Sequence, residues 1–157
     1  WRAIYHGFDA FVPWNIGNYY KDREGIKHAA TDQWAKDIAE CREHGVVWIP
    51  VVYPGFRWDN LKQQPTGSGE LPRRGGDFLW EQLQAAAELK CDTVYVAMFD
   101  EVDEGTAVFK ISNTPPTQAK FLDLEGKPSD WYLRLLGEGG KMLRGERAIS
   151  KTIPITP

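Results

Sequence analysis

Apolar residues gather along the chain into three short, nearly continuous runs: FDAFVPW at 8–14, VVWIPVVY at 46–53 and TVYVAMF at 93–99. Runs of this length without alternation are what strands buried on both faces of a sheet require. Between them the apolar positions shift to a helical period. Residues 30–44 put Trp34, Ile38 and Cys41 on one face and stop at Gly45, a residue suited to the left-handed conformation that ends helices. Residues 77–90 carry Leu79, Leu83, Ala86 and Ala87, with Asp77 predicted as N-cap. A third helix is expected to open at Pro128-Ser129-Asp130 and run through Trp131, Leu135 and Leu136 until Gly137, Gly139 and Gly140 weaken it.

Strand, loop and helix recur in that order, which is the signature of parallel βαβ units. Such units send every post-strand loop to the same end of the sheet. Those loops are long here, covering 13–25, 54–76 and 100–127, whereas the opposite turns, 43–45 and 88–92, are minimal. Long loops at the carboxyl ends of strands and tight turns at the other are the asymmetry of a barrel enzyme. A complete (β/α)8 barrel needs about 250 residues. The 157 residues, beginning at Trp1, therefore predict an α/β fold that is the C-terminal part of a (β/α)8 TIM-type barrel, with 1–157 as one partial domain and the N-terminal half absent. An open three-layer α/β domain would have the same periodicity.

Composition narrows the partners. Nineteen basic residues against 22 acidic ones give a formal charge of -3, and no basic stripe stands out, which excludes nucleic acid as the expected partner. The longest apolar run, 46–53, is too short to span a bilayer. Cys41 and Cys91 fit neither a metal spacing nor a disulfide framework, and Cys41 is expected as a buried free thiol. Aromatic residues are abundant, at 13% with seven Trp.

The third strand runs straight into MFDEVDEGT, where Asp100, Glu101, Asp103 and Glu104 crowd together. Like charges so close repel, so folding gains nothing obvious from them. Any helical turn after residue 100 brings Glu101 and Glu104 to one side. Two carboxyl groups facing one pocket cannot both ionise easily, which leaves an acid beside a carboxylate, the pair that glycoside cleavage uses. The same residues also suit a solvated acidic loop, or a divalent-cation site built from Asp100, Asp103 and Glu104. Trp14, Tyr19 and Tyr20 follow the first strand, and Tyr53, Phe56 and Trp58 the second. Aromatic rings at a rim suit the C–H faces of sugars, whose hydroxyls would take Asn15, Arg57 and Asn60 as partners. His6, His28 and His44 lack a metal spacing, and Arg73-Arg74 reads as solvated loop charge.

At EVDEGT the chain resembles the glycoside hydrolase family 99-like proteins, barrel enzymes related to endo-α-mannosidase, whose motif is E-W-x-E-G-T. Glu101, Glu104, Gly105 and Thr106 match it, and DAFVPWNIG, WIPVVYPGFRW and PSDWYLRLLGEGGKMLRGE also resemble the C-terminal half of bacterial members. The resemblance implies a retaining α-glycosidase that uses neither metal nor cofactor. Glu101 would take the proton of the substrate 2-hydroxyl as that oxygen attacks the anomeric carbon. Glu104 would protonate the leaving oxygen and later activate water. An oligosaccharide or polysaccharide partner is implied, bound by Trp14, Asn15, Tyr53, Arg57, Trp58, Asp100 and Asp103. A periplasmic or extracellular location and a missing N-terminal barrel half are implied too, so the piece alone is expected to be inactive. Val102 stands where the motif has Trp and Asp100 where relatives have Asn. The expected substrate is accordingly an α-linked glycan, and α-mannan is not carried over from the family. The rival readings are a non-catalytic carbohydrate-binding relative and a metal-dependent enzyme using the acidic cluster.

Overall fold

Hydrogen bonds join the three apolar runs side by side in chain order. The computed structural model describes residues 1–63 and 70–157; the second post-strand loop, read above as 54–76, lies outside the described residues at 64–69. In the first run β1 (Ala10–Phe11) pairs in parallel with β4 (Val47–Trp48), Ala10 opposite Val47 and Phe11 opposite Trp48. Further along the same extended segment β5 (Val51–Val52) pairs in parallel with β6 (Tyr95–Val96) of the third run. The middle run serves both neighbours. Val47 and Ile49 donate to Asp9 and Phe11 on one side, while the carbonyls of Pro50 and Val52 accept from Tyr95 and Ala97 on the other. Pro50 has no N–H to give, so the segment splits into two short ladders instead of one long strand.

The strands are shorter than the apolar runs, each ladder spanning two residue pairs. The expectation of burial on both faces holds for β5, where Val51 and Val52 are both fully buried, and is corrected for β1, β4 and β6. Phe11, Trp48, Val52 and Val96 pack with the helices, but Val47 is 57% exposed and Tyr95 43% on the opposite face.

α1 (Arg2–Tyr5) is a single turn ahead of β1, and helices follow each strand on one side. α2 (Trp34–Glu43) buries Trp34 and Ile38. It starts later than the period suggested, since residues up to Ala30 are drawn into a hairpin that the sequence reading missed: β2 (Tyr19–Lys21) against β3 (Lys27–Ala29), antiparallel, with Tyr20 opposite His28. The hairpin had a legible signal in DREG, where Asp22 Oδ1 accepts the Ile26 N–H at 2.7 Å and Gly25 takes φ +82. α4 (Asp77–Glu88), preceded by the short helical turn α3 (Asp59–Lys62), buries Phe78, Leu79, Trp80, Gln82, Leu83, Ala86 and Ala87. Its N-cap is Gly76 rather than Asp77, with Asp77 in the first turn where its charge suits the helix dipole. Each fully buried Leu or Phe there is worth roughly 1.5–3 kcal/mol.

α5 (Trp131–Leu143) corrects a further expectation, for it runs straight through Gly137, Gly139 and Gly140. Gly139 is buried against α4, and a Cβ on it would stand 2.7 Å from Leu83 Cδ1. The missing side chain brings the two helices into contact, and packing outweighs the low helical propensity of glycine. Trp34, Trp48, Leu79, Leu83, Trp131, Tyr132 and Leu135 meet in one core. Both thiols are free, Cys91 buried and Cys41 only half-buried, which amends the reading of Cys41. Among the described residues no helix is long and apolar enough to cross a membrane.

Candidate active site

Past β6 the chain doubles back at once. Met98 donates to the Thr106 carbonyl at 3.2 Å, Thr106 to that of Glu101 at 3.1 Å, and Gly105 to that of Val102 at 3.1 Å. The helical turn expected after residue 100 is thus a tight reversal. It needs glycine at 105, where φ is +69 and a Cβ would meet Leu122 at 2.8 Å. Glu101 and Glu104 are half-buried in this reversal, whereas Asp100 and Asp103 point to solvent. One carboxylate oxygen of Glu101 accepts the N–H groups of Asp103 at 2.8 Å and Glu104 at 3.3 Å.

Two further contacts hold the reversal from the second post-strand loop. The Arg57 N–H donates to the Glu104 carbonyl at 2.8 Å. The Arg73 guanidinium donates to the carbonyls of Gly105 and Ala107, at 3.0 and 2.8 Å. The Glu104 carboxyl is pushed above the usual carboxylate range, first by burial and then by the charge of Glu101. A carboxyl group that keeps its proton longer, next to one bound by N–H donors, can give a proton while its neighbour accepts one.

The residues expected to line a sugar cleft are distributed more widely. Trp14 is 58% exposed and, with Asn15, Tyr19, Trp34 and Trp48, borders a cavity of about 360 Å³. The Asn15 amide is engaged with the Ala30 carbonyl at 3.1 Å, holding the end of the hairpin. Tyr53 needs correction: it is fully buried, edge-on to Phe78, and its hydroxyl donates to the Asn18 carbonyl at 2.9 Å. That ring belongs to the core, because the hairpin folds over it. Arg57 is buried as well, its guanidinium paired with Asp59 at 2.7 Å and Glu70 at 3.2 Å, which leaves it as a buttress. Trp58 is half-buried, edge-on to Phe56 and under the Lys62 ammonium.

A second cavity, of about 730 Å³, touches the acidic reversal at Val102 and is walled by Arg57, Phe109, Lys110, Phe121 and Leu122. Among the described residues no three His, Cys, Asp or Glu side chains converge as a metal would require, so Asp100, Asp103 and Glu104 are not brought together as ligands. His6 meets Glu40 and stacks on His44, while His28 stands apart, between Asp22 and Glu81.

Arg73 is the functional candidate that sequence reasoning missed. It is 1% exposed, where a solvated charge was expected; Arg74 is only half-buried, but it too is held, paired with Glu81 at 2.7 Å. A signal was present. Leu71 bridges to Phe56 in extended conformation, and a period of two from an inward Leu71 points Arg73 inward too.

A family model, Glycosyl hydrolase family 99, matches residues 6–143. A curated glycoprotein endo-alpha-1,2-mannosidase-like protein of Danio rerio is 24% identical over 130 residues, which make up 82% of this chain and 28% of that protein. Two solved structures of the GH99 endo-alpha-mannosidase from Bacteroides thetaiotaomicron share the fold. One, in complex with BIS-TRIS-propane, has a TM-score of 0.73 at 21% identity, covering 91% of this chain and 42% of that one. The other has a TM-score of 0.72 at 21% identity, covering 90% and 40%. The chain therefore spans less than half the length of these relatives.

Proposed function

The chain belongs to glycosyl hydrolase family 99, and from that membership we propose that it is the C-terminal part of a retaining glycosidase acting on an α-linked glycan, with Glu101 and Glu104 as the reacting pair. The observation that carries the proposal is the acidic reversal at the end of a parallel strand, where burial and then the Glu101 charge push the Glu104 carboxyl above the usual carboxylate range.

In this mechanism Glu101 accepts the proton of the substrate 2-hydroxyl as that oxygen attacks the anomeric carbon. Glu104 gives its proton to the departing glycosidic oxygen. Water then opens the strained ring: Glu104, now ionised, takes a proton from the water, and the 2-oxygen recovers one from Glu101. Both residues end in their starting states, and inversion at each step yields net retention. Asp100 and Asp103, exposed beside the pair, would meet sugar hydroxyls, and the exposed Trp14 would stack on a ring.

The barrel assignment rests on the strand order. Three parallel strands succeed one another in chain order without reversal, each with its helix on the same side, as in an arc of a (β/α)8 barrel. Val12, Val47 and Tyr95, exposed on the helix-free face, then correspond to interior positions that further units would cover. Residues 1–157 are accordingly one partial domain.

One observation favours a second reading, glycan binding without turnover: Glu101 already binds two N–H groups of its own turn. Glu104→Gln in the full-length gene product separates the two. Losing the acid should slow hydrolysis of an unactivated glycoside by about 10²–10⁴-fold. A glycosyl fluoride, whose leaving group needs no proton, should lose much less. Unchanged rates on both substrates would refute the assignment of Glu104, and binding with no turnover even in the parent would favour the second reading.

A further inference from the structure

Arg73 is buried without a carboxylate within ion-pairing distance among the described residues. Taking a guanidinium out of water is strongly unfavourable, and a buried cation is ordinarily retained only where its bonds matter. Burial disfavours its charge, and Tyr132, Glu125 and Asp123 offset this in part.

Its surroundings are shaped to admit it. The guanidinium carbon lies 4.5 Å from the centroid of the Tyr132 ring on α5. Gly55 leaves room for the stem, since a Cβ there would stand 2.8 Å from Arg73 Cγ. From this slot a single nitrogen, Nη2, reaches the carbonyls of both Gly105 and Ala107. Those are the first and third carbonyls after Glu104. The carbonyl of Glu104 itself takes the Arg57 N–H, and its N–H faces Glu101. On the C-terminal side of Glu104 the N–H groups of Gly105 and Thr106 bond within the reversal, while the carbonyls of Gly105 and Ala107 are held from outside it by one charged group, Arg73.

We propose that Arg73 is a positioning residue: by gripping the Gly105 and Ala107 carbonyls it sets where the Glu104 carboxyl stands relative to the glycosidic oxygen, without touching substrate. This rests on Glu104 being the acid. A charge-assisted bond to a backbone carbonyl is strong and directional, and a misplacement of about 1 Å can cost about 10²-fold in rate. An unpaired cation at this point is explained by position, since a neutral side chain would pack the slot more cheaply.

Arg73→Met in the full-length gene product, with Glu104→Gln measured beside it, tests the idea. Methionine fills similar volume and removes a buried charge but leaves the Gly105 and Ala107 carbonyls without their donor, so a modest fall in melting temperature is expected and the rates are compared on the folded variant. On an unactivated glycoside kcat should fall by about 10²-fold with KM within about 2-fold, whereas a glycosyl fluoride should lose much less in the glycosylation step. Arg73→Lys keeps one charged donor and should recover part of the lost kcat. It also serves as the test variant should Arg73→Met not fold, with the same leaving-group dependence expected. Equal losses on both substrates, a rise in KM at constant kcat, or an unchanged kcat in a folded variant would overturn the proposal. If Glu104→Gln is itself indifferent, the fault lies in the assignment of the acid. If Glu104→Gln is impaired and Arg73→Met is not, only the positioning role fails.

Discussion

The backbone N–H of Glu104 faces the carboxylate of Glu101 across 3.3 Å, so the turn that presents the pair also ties one member to the other. The same oxygen of Glu101 takes the Asp103 N–H at 2.8 Å. Structure and chemistry therefore use one side chain, and substitutions can separate the two roles.

Glutamine at 101 keeps a carbonyl oxygen for those two N–H groups, but alanine keeps none. Glu101→Ala should be less stable than Glu101→Gln by about 1 kcal/mol, the net worth of such a bond. Both should fail to hydrolyse glycosides, whatever the leaving group, because the base is gone. Urea unfolding and rate measurements on the two variants give the answer. Equal stabilities would deny Glu101 its part in shaping the turn.

Glu104 carries the opposite signature. Its folded pKa lies above the ordinary 4.5, owing to burial and then Glu101, so the folded state holds the proton more tightly than the unfolded one. Stability is therefore lost as pH rises through that window. Glutamine, always neutral, escapes the loss: Glu104→Gln should melt at a higher temperature than the parent at pH about 7, and the difference should vanish below the ordinary carboxylate range. A variant no more stable than the parent at neutral pH would contradict the raised value.

His28 pins the hairpin through both ring nitrogens. Nδ1 lies 2.9 Å from Glu81 and Nε2 3.1 Å from Asp22, both acceptors only, so the imidazolium satisfies both at once. Tyr20 stacks on the ring, and Arg74 shares Glu81. Burial of the ring works against protonation, but the bonds to Glu81 and Asp22 outweigh it and the pKa is raised above 6.5. The contribution of His28 is complete below that value and disappears as pH rises through the raised folded one. For Asp22 desolvation works upward, but the bonds from His28 and the Ile26 N–H outweigh it and lower the pKa below 3.8, so it gives up its share only as pH falls through the depressed value. Protection of the Ala29 amide, which faces Glu81, should therefore decline on the alkaline side when corrected for intrinsic exchange. In His28→Asn the decline should be absent; a decline that persists would point to another group.

Two glycines of α5 should respond in opposite directions. Gly137 has open space around it, and Gly137→Ala should stabilise by about 0.5–1 kcal/mol through helix propensity. Gly139 faces Leu83, and Gly139→Val should cost about 1–3 kcal/mol by overpacking the contact between α4 and α5. Denaturant midpoints with unchanged m-values would establish both signs. A stabilising Gly139→Val would mean that the helices separate without penalty.

The sequence alone determined what depends on neighbours a few residues apart. The positions of the apolar runs, the buried faces of α2 and α4, and the acidic reversal after the third strand all follow from local period and chain order. Tertiary structure decided matters that depend on distant partners. Tyr53 and Trp14 look alike as post-strand aromatics, yet Tyr53 is interior because Phe78 and the Asn18 carbonyl close over it, while Trp14 stays 58% exposed. Arg73 looked solvated until the Gly105 and Ala107 carbonyls, more than thirty residues on, arrived to receive it. Gly139 looked like a helix breaker until Leu83 occupied the space its missing side chain leaves. Propensity differences near 1 kcal/mol per residue yield to packing, and burying a charge depends on acceptors that only the folded chain supplies.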